Sequence, residues 1–275
     1  MNDPLYEYIE RNSTRQTEAL DWVERQTHLR SIYSHMLCGP VEGRLLNLLT
    51  SMIRPERALE LGVFTGYSSI CIASALPAGA HLDALEINDE LEDVIRGGYA
   101  RAGVEDRINL ILGNANESLS QLSGPYDLVF IDANKREYVK YYNAVIDKVR
   151  PGGFILADNV LWSGKVLEME HVSGSGAHHT DAQTKGIMEF NELVANDPRV
   201  ENVIIPLRDG LNIIRKKLFC APFQCRRTSA QQVPLWMRTC TRGGAFPENV
   251  SQGQGRKSPP RNPEYGFLSP CWMNL

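Results

Sequence analysis

Between residues 57 and 158, five short apolar runs alternate with stretches of helical character: ALEL (58–61), HLDALEI (81–87), INLIL (108–112), YDLVFID (126–132) and FILAD (154–158). Runs of this length, rich in Ile, Leu and Val and separated by helices, predict a parallel sheet covered on both faces. That is a doubly wound, Rossmann-like α/β domain. The first 55 residues read as helices: Pro4 to Arg11, Thr17 to Leu29, and Val41 to Ile53, where Leu45, Leu46, Leu48 and Leu49 make an apolar face. After Asp158 come a Gly/Ser/His-rich segment, HVSGSGAHH (171–179), a helix near Thr184–Ala195, and two closing strands, VENVIIPL and LNIIRKK. The intervening Arg208-Asp209-Gly210 is a hairpin signal.

Composition narrows where this domain ends. The 275 residues are 43% hydrophobic and 23% charged, as in an ordinary globular protein. No apolar stretch approaches the ~20 residues needed to span a bilayer. The start, MNDPLYEYIERNS, lacks the basic and apolar regions of a secretion signal, which predicts a cytoplasmic protein without disulfides. Near residue 217 the charge changes sign: residues 1–217 carry net −9 and residues 218–275 net +5. The last 58 residues hold four of the six cysteines and seven of the fifteen prolines, without apolar periodicity. The expectation is a folded domain over 1–217 and a disordered basic tail over 218–275. Its cysteines lie 5, 15 and 31 residues apart with no histidine among them, which does not make a zinc pattern.

The first strand runs into Glu60-Leu61-Gly62-Val63-Phe64-Thr65-Gly66-Tyr67-Ser68, with a helix from about Tyr67. Glycines at a strand-to-helix turn let the backbone approach a ligand, and a helix N-terminus favours a negative group. A dinucleotide fingerprint wants a second glycine where Phe64 stands, which disfavours a dehydrogenase. Glu86 ends the second strand 24 residues after Gly62, placed to accept hydrogen bonds from both hydroxyls of a ribose. The pair points to an adenosine-containing cofactor. At the ends of the fourth and fifth strands stand Asp132-Ala133-Asn134-Lys135 and Asp158-Asn159. Neighbouring strands would aim both carboxylates at one crevice, a hard oxygen set suited to Mg²⁺, Mn²⁺ or Ca²⁺. Each pair alone also reads as a helix cap or a turn.

The segments ALELGVFTGYS, ALEIN, DLVFIDANKREYVKYY, VRPGGFILADNVLWSGKV and DPRVENVIIPLRDGL together resemble the cation-dependent O-methyltransferases of the caffeoyl-CoA and catechol type. The resemblance spans about Met36 to Lys217. It implies a methyltransferase sheet of seven strands, mostly parallel with an antiparallel last strand. The implied cofactor is S-adenosyl-L-methionine with Mg²⁺, or Mn²⁺ or Ca²⁺. Asp132, Asp158 and Asn159 would be the metal ligands, with Asp132 also at the cofactor. Glu86 would hold the ribose, Ser68 with Gly62, Phe64, Thr65 and Gly66 of the turn the methionine end, and Glu60 would also belong to the cofactor site. Met36, Val41 and Ala115 would line the cofactor, Trp162 would border the substrate, and Lys135 falls where the catechol-type enzymes carry their general base. The chain departs at Asn134, where the family often has Asp, and at Asn114, where Gly-Asp-Ala is usual. Asparagine keeps the shape but loses a charge.

The reaction implied is methyl transfer to a hydroxyl of a small aromatic molecule with adjacent hydroxyls, by a homodimeric enzyme. The cation would acidify the hydroxyl, and Lys135 would take the proton if the cation depresses its pKa. Some bacterial relatives methylate a hydroxylated uridine in transfer RNA, an alternative that net −9 on the folded part argues against. A cofactor-binding module without activity is disfavoured by the complete metal and lysine set. His171, His178 and His179 read as part of a substrate lid in preference to a zinc site. Tyr138, Tyr141 and Tyr142 form a packing stripe, and Cys38 and Cys71 lie inert among apolar neighbours.

Overall fold

The computed structural model describes residues 4–167 and 181–218. The segment expected to be a lid and the tail from residue 219 onward lie outside the described residues. Three helices lead: α1 (Pro4–Arg11), α2 (Glu18–Arg30) and α3 (Gly39–Ile53). Thr17 caps α2, its hydroxyl oxygen accepting from Leu20 N. Helix α3 starts two residues earlier than expected because Pro40 suits a first turn, where its missing N–H costs nothing.

The chain then alternates: β1 (Arg57–Leu61), α4 (Tyr67–Ala73), β2 (His81–Glu86), α5 (Glu92–Ala102), β3 (Ile108–Leu112), α6 (Ala115–Gln121), β4 (Tyr126–Ile131), α7 (Tyr138–Ile146) and β5 (Val149–Ala157). After it follow α8 (Ala182–Asn196), β6 (Val200–Ile205) and β7 (Leu211–Lys216). One seven-stranded sheet results, in the order β3-β2-β1-β4-β5-β7-β6. Strands β1 to β5 pair in parallel, and β7 runs antiparallel to both its neighbours, as expected. Strand β5 begins five residues before the run FILAD, because Pro151, Gly152 and Gly153 hide its first half in the sequence. Gly153 is needed there: a Cβ would stand 2.8 Å from Val149 Cγ1.

Side chains alternate across the sheet with the period of a strand. Ala58, Leu128, Phe130 and Leu156 face a cluster with Val23, Ile70, Ile95 and Tyr99 of α2, α4 and α5. Leu59, Leu61, Val129 and Ile131 face the other way, onto Tyr138, Tyr142, Ile187 and Phe190 of α7 and α8. The tyrosine stripe is therefore core. Cys38 and Cys71 are buried and free, and burial raises both thiols, consistent with inert packing. Among the described residues no helix is long and apolar enough to cross a membrane. The strand order reverses direction between β1 and β4, so the crevice beyond their carboxyl ends is where a doubly wound sheet holds its ligand.

Candidate active site

The turn after β1 is built around Gly62 and Glu86. Gly62 sits at φ +92°, and a Cβ there would lie 2.1 Å from the Asp132 carbonyl oxygen, so only glycine lets this turn press on the end of β4. Gly62 N also donates to Leu85 O, and Asp132 N to Leu61 O, which locks three strand ends together. Glu86 is buried, and its Oε2 accepts from Val63 N at 2.9 Å and Phe64 N at 2.6 Å. Its Oε1 accepts from Asn88 N at 2.8 Å. The acid thus fixes the backbone of the turn, holding Phe64 at φ +54°. Thr65 is buried and accepts from the Thr27 hydroxyl of α2 at 2.8 Å. Gly66, at φ +89°, starts α4 against Tyr99.

Glu60 lies fully buried below this turn, with Ser68 Oγ donating to it at 2.5 Å and Ser69 Oγ donating to its other oxygen. Burial pushes its pKa up to about 7, against the pull of the two serines. The folded chain therefore keeps a proton here that the unfolded chain loses at about 4.5. A raised carboxylate contributes stability that is complete below the unfolded value and gone once pH passes the folded one. The ligand-free protein should lose melting temperature as pH rises from about 4.5 to about 7, and Glu60→Gln should flatten that slope. Identical slopes in the two proteins, read by differential scanning fluorimetry, would show that Glu60 does not carry it.

The tips of β4 and β5 supply the other half. Asp158 is 3% exposed, and its Oδ1 accepts from Asn159 N at 2.7 Å, with Asn159 at φ +58°. Tyr138 Oη donates to the Asp158 carbonyl at 3.0 Å and bonds Ile131 O at 3.3 Å, bridging the two strand ends. Burial first, and then the charge of Asp132, raise the Asp158 carboxyl. Lys135 Nζ donates to Asp132 Oδ1 at 2.5 Å and lies 5.3 Å from the centre of the Tyr138 ring. Burial works to lower Lys135, but the Asp132 charge outweighs it and the ammonium is held well above its usual range. Gly186 of α8 locks the lysine from behind, since a Cβ at 186 would stand 2.5 Å from the Lys135 carbonyl.

Sequence reasoning missed Glu42. It is 1% exposed on α3, its Oε2 accepts from Arg208 Nη1 at 3.2 Å, and its Oε1 has no hydrogen-bond partner among the described residues. Burial, and after it the charge of Asp158, raise it as well. Three acids, Asp132, Asp158 and Glu42, thus act on one another at one end of the crevice. Among the described residues no three His, Cys, Asp or Glu side chains gather as a metal site. The candidate set remains two carboxylates and the Asn159 carboxamide.

The remaining expected residues are more scattered. Gly113 N donates to Glu86 O at 2.8 Å, which brings Gly113-Asn114-Ala115 beside the second strand, with Ala115 partly buried. Val41 is half-buried in the first turn of α3, while Met36 is 53% exposed. Trp162 packs against the α7–α8 core, with its buried Nε1 unpartnered among the described residues. Both departures at asparagine have a local explanation. Asn114 and Asn134 each cap a helix, accepting from Asn116 N at 2.9 Å and Arg136 N at 3.3 Å, a task Asn performs as well as Asp.

Known proteins resemble this chain in sequence and in fold. Residues 10–217 match the family model described as O-methyltransferase. Caffeoyl-CoA O-methyltransferase 5 of Nicotiana tabacum is 32% identical over 222 residues, which cover 78% of this chain and 92% of that protein. The caffeoyl-CoA O-methyltransferase of Eucalyptus gunnii is 33% identical, covering 78% and 88%. Among solved structures, the O-methyltransferase TomG of Streptomyces achromogenes, in complex with SAM, superposes with a TM-score of 0.71 at 27% identity, over 78% of this chain and 96% of its own. An O-methyltransferase of Bacillus cereus, in complex with SAH, gives 0.69 at 28%, over 78% and 97%. The family match spans nearly the whole described chain, the two curated relatives are each at least 32% identical over 78% of it, and the chain belongs to the O-methyltransferase family.

Proposed function

We propose that the protein transfers a methyl group from S-adenosyl-L-methionine to a hydroxyl of a small aromatic molecule with adjacent hydroxyls, aided by a divalent cation. The observation that carries this reading is the meeting, beyond β1, β2, β4 and β5, of the Glu86-held turn with the crowded carboxylates Asp132 and Asp158. The donor set fits a hard cation: two carboxylates and a carboxamide offer only oxygen, and the acidity of Asp158 is suppressed by burial and by a like charge that a cation would offset. Such a cation, Mg²⁺, Mn²⁺ or Ca²⁺, would be held by Asp132, Asp158 and Asn159 and would acidify a phenolic hydroxyl and favour a bidentate acceptor. A homodimer accords with the exposed Leu5, Tyr8 and Ile9 of α1.

The rest falls to the chain. Glu86 accepts from the ribose hydroxyls with the lone pairs its backbone contacts leave, and Ser68 with the 62–66 turn receives the methionine end, held from below by Glu60. Lys135 is the proton acceptor: when the charge of Asp132 is engaged elsewhere, burial remains as the influence that lowers it. Trp162 borders the acceptor ring. No covalent step on the protein is required, so holding oxygen and methyl at near-attack distance supplies most of the acceleration.

Glu86→Ala should weaken S-adenosylhomocysteine binding at least about tenfold, because charged-acceptor hydrogen bonds are worth ~1.5–3 kcal/mol each and the turn loses its anchor. Lys135→Met should cut turnover with little change in that affinity. Calorimetry and labelled-methyl assays giving the opposite pattern would exchange the two roles. The reading as a whole is tested with labelled S-adenosylmethionine and a panel of catechols, with and without EDTA. Failure to methylate any of them would overturn it.

A further inference from the structure

The turn between β6 and β7 reaches both sides of the crevice. Arg208, a non-glycine residue at φ +48°, donates from Nη1 to Leu37 O at 2.8 Å, to Cys38 O, and to Glu42 Oε2 at 3.2 Å. One guanidinium nitrogen therefore gathers the loop that follows Met36 and the first turn of α3 that carries Val41. The next residue faces the opposite side: Asp209 Oδ1 accepts from Ser163 N, and Asp209 O from Leu161 N at 2.8 Å. Gly210 O accepts from Val160 N at 3.0 Å, and Gly210 itself presses on Leu161, whose Cγ would be 2.4 Å from an added Cβ. A left-handed arginine is held at a cost, and here the restraint comes from contacts the side chain makes across the crevice.

We propose that Arg208 is a positioning residue, a brace that sets the cofactor-lining segment 36–42 against the acceptor-bordering loop 159–163. This rests on the proposed function for what those two segments line. Arginine suits the task because its long stem and permanent charge bring one nitrogen to several oxygens at once, and the neighbouring Glu42 carboxylate, 1% exposed, has no other cation within reach of a salt bridge among the described residues. Without the brace the Leu37 and Cys38 carbonyls lose their donor, and the segment is free to leave the cofactor side.

The full-length Arg208→Ala variant should bind S-adenosylhomocysteine at least about fivefold more weakly in calorimetry, at a temperature where circular dichroism shows it folded. With a catechol that the wild type methylates as acceptor, its KM for the cofactor should rise in parallel while kcat at saturation of both substrates changes less than about twofold, since no reacting group is removed. Arg208→Lys should fall between the two, because its ammonium keeps the charge facing Glu42 but sits on a shorter stem that does not carry it to where Nη1 stands. Wild-type affinity and KM with only a lowered melting temperature would overturn the proposal, leaving a plain structural tie. Should Arg208→Ala fail to fold, the same readings on Arg208→Lys and Glu42→Gln decide it. If the wild type binds S-adenosylhomocysteine but methylates no acceptor, the proposed reaction falls while the cofactor arm still tests the brace. If it does not bind S-adenosylhomocysteine, both fall.

Discussion

Asp158→Ala is expected to lower methyl transfer at least about a hundredfold at ordinary Mg²⁺ and to recover part of it when Mg²⁺ is raised. Two links make the effect large. Asp158 is 3% exposed and crowded by the charge of Asp132, so a cation beside it would favour its charged form. Removing one of two anionic ligands from a hard-cation site lowers affinity sharply, because the ion keeps its own dehydration cost while losing a partner. The loss should appear in kcat and in the Mg²⁺ concentration giving half-maximal rate, with S-adenosylhomocysteine affinity in the absence of metal little changed. Undiminished wild-type activity in excess EDTA would end the cation reading. An Asp158→Ala enzyme that no Mg²⁺ concentration improves would assign Asp158 to the scaffold instead.

Gly62→Ala should be the more damaging of the two for the fold. The added methyl would meet the Asp132 carbonyl oxygen at 2.1 Å, and the residue would be held at φ +92°, where L side chains are strained. A backbone carbonyl cannot swing aside as a side chain can, so β1 and β4 must part at their ends. A loss of about 3 kcal/mol is expected from strain and overlap together, which for a domain of this size lowers the melting temperature by roughly 6–12 °C. S-adenosylhomocysteine binding should vanish even where the variant is folded, because the displaced turn carries Val63 N and Phe64 N away from Glu86. A folded Gly62→Ala protein with normal affinity would mean that the turn relaxes without disturbing the cofactor side.

The chain makes some of this legible and hides the rest for identifiable reasons. The turn at 60–68, Glu86 and the two Asp-bearing strand ends follow each other locally, and a parallel sheet brings successive strand tips to one edge, so their spacing alone carries the site. Glu42 is different. In the sequence it is one acid in the first turn of an apolar helix, where acids are favoured by the helix dipole, and its burial depends on Arg208, 166 residues away. Ser69 was hidden by Ser68, because only the packing of α4 shows that both hydroxyls reach Glu60. Strand β5 was shortened because Pro-Gly-Gly reads as a breaker, although at that end of the strand the pairing shifts between Tyr126 and Leu128 and accommodates it.

The contact of Gly186 with the Lys135 carbonyl has a consequence for exchanging parts between relatives. In the chain, helix α8 follows directly on residues 168–180 and Asp181. Its first turns are keyed to the lysine by a glycine that admits no substitute at 2.5 Å. A segment of another length or sequence grafted ahead of Asp181 must therefore leave the helix seated on that glycine. Chimeras that retain Gly186 should melt close to the parent, and those that lose it should melt lower whatever segment they carry.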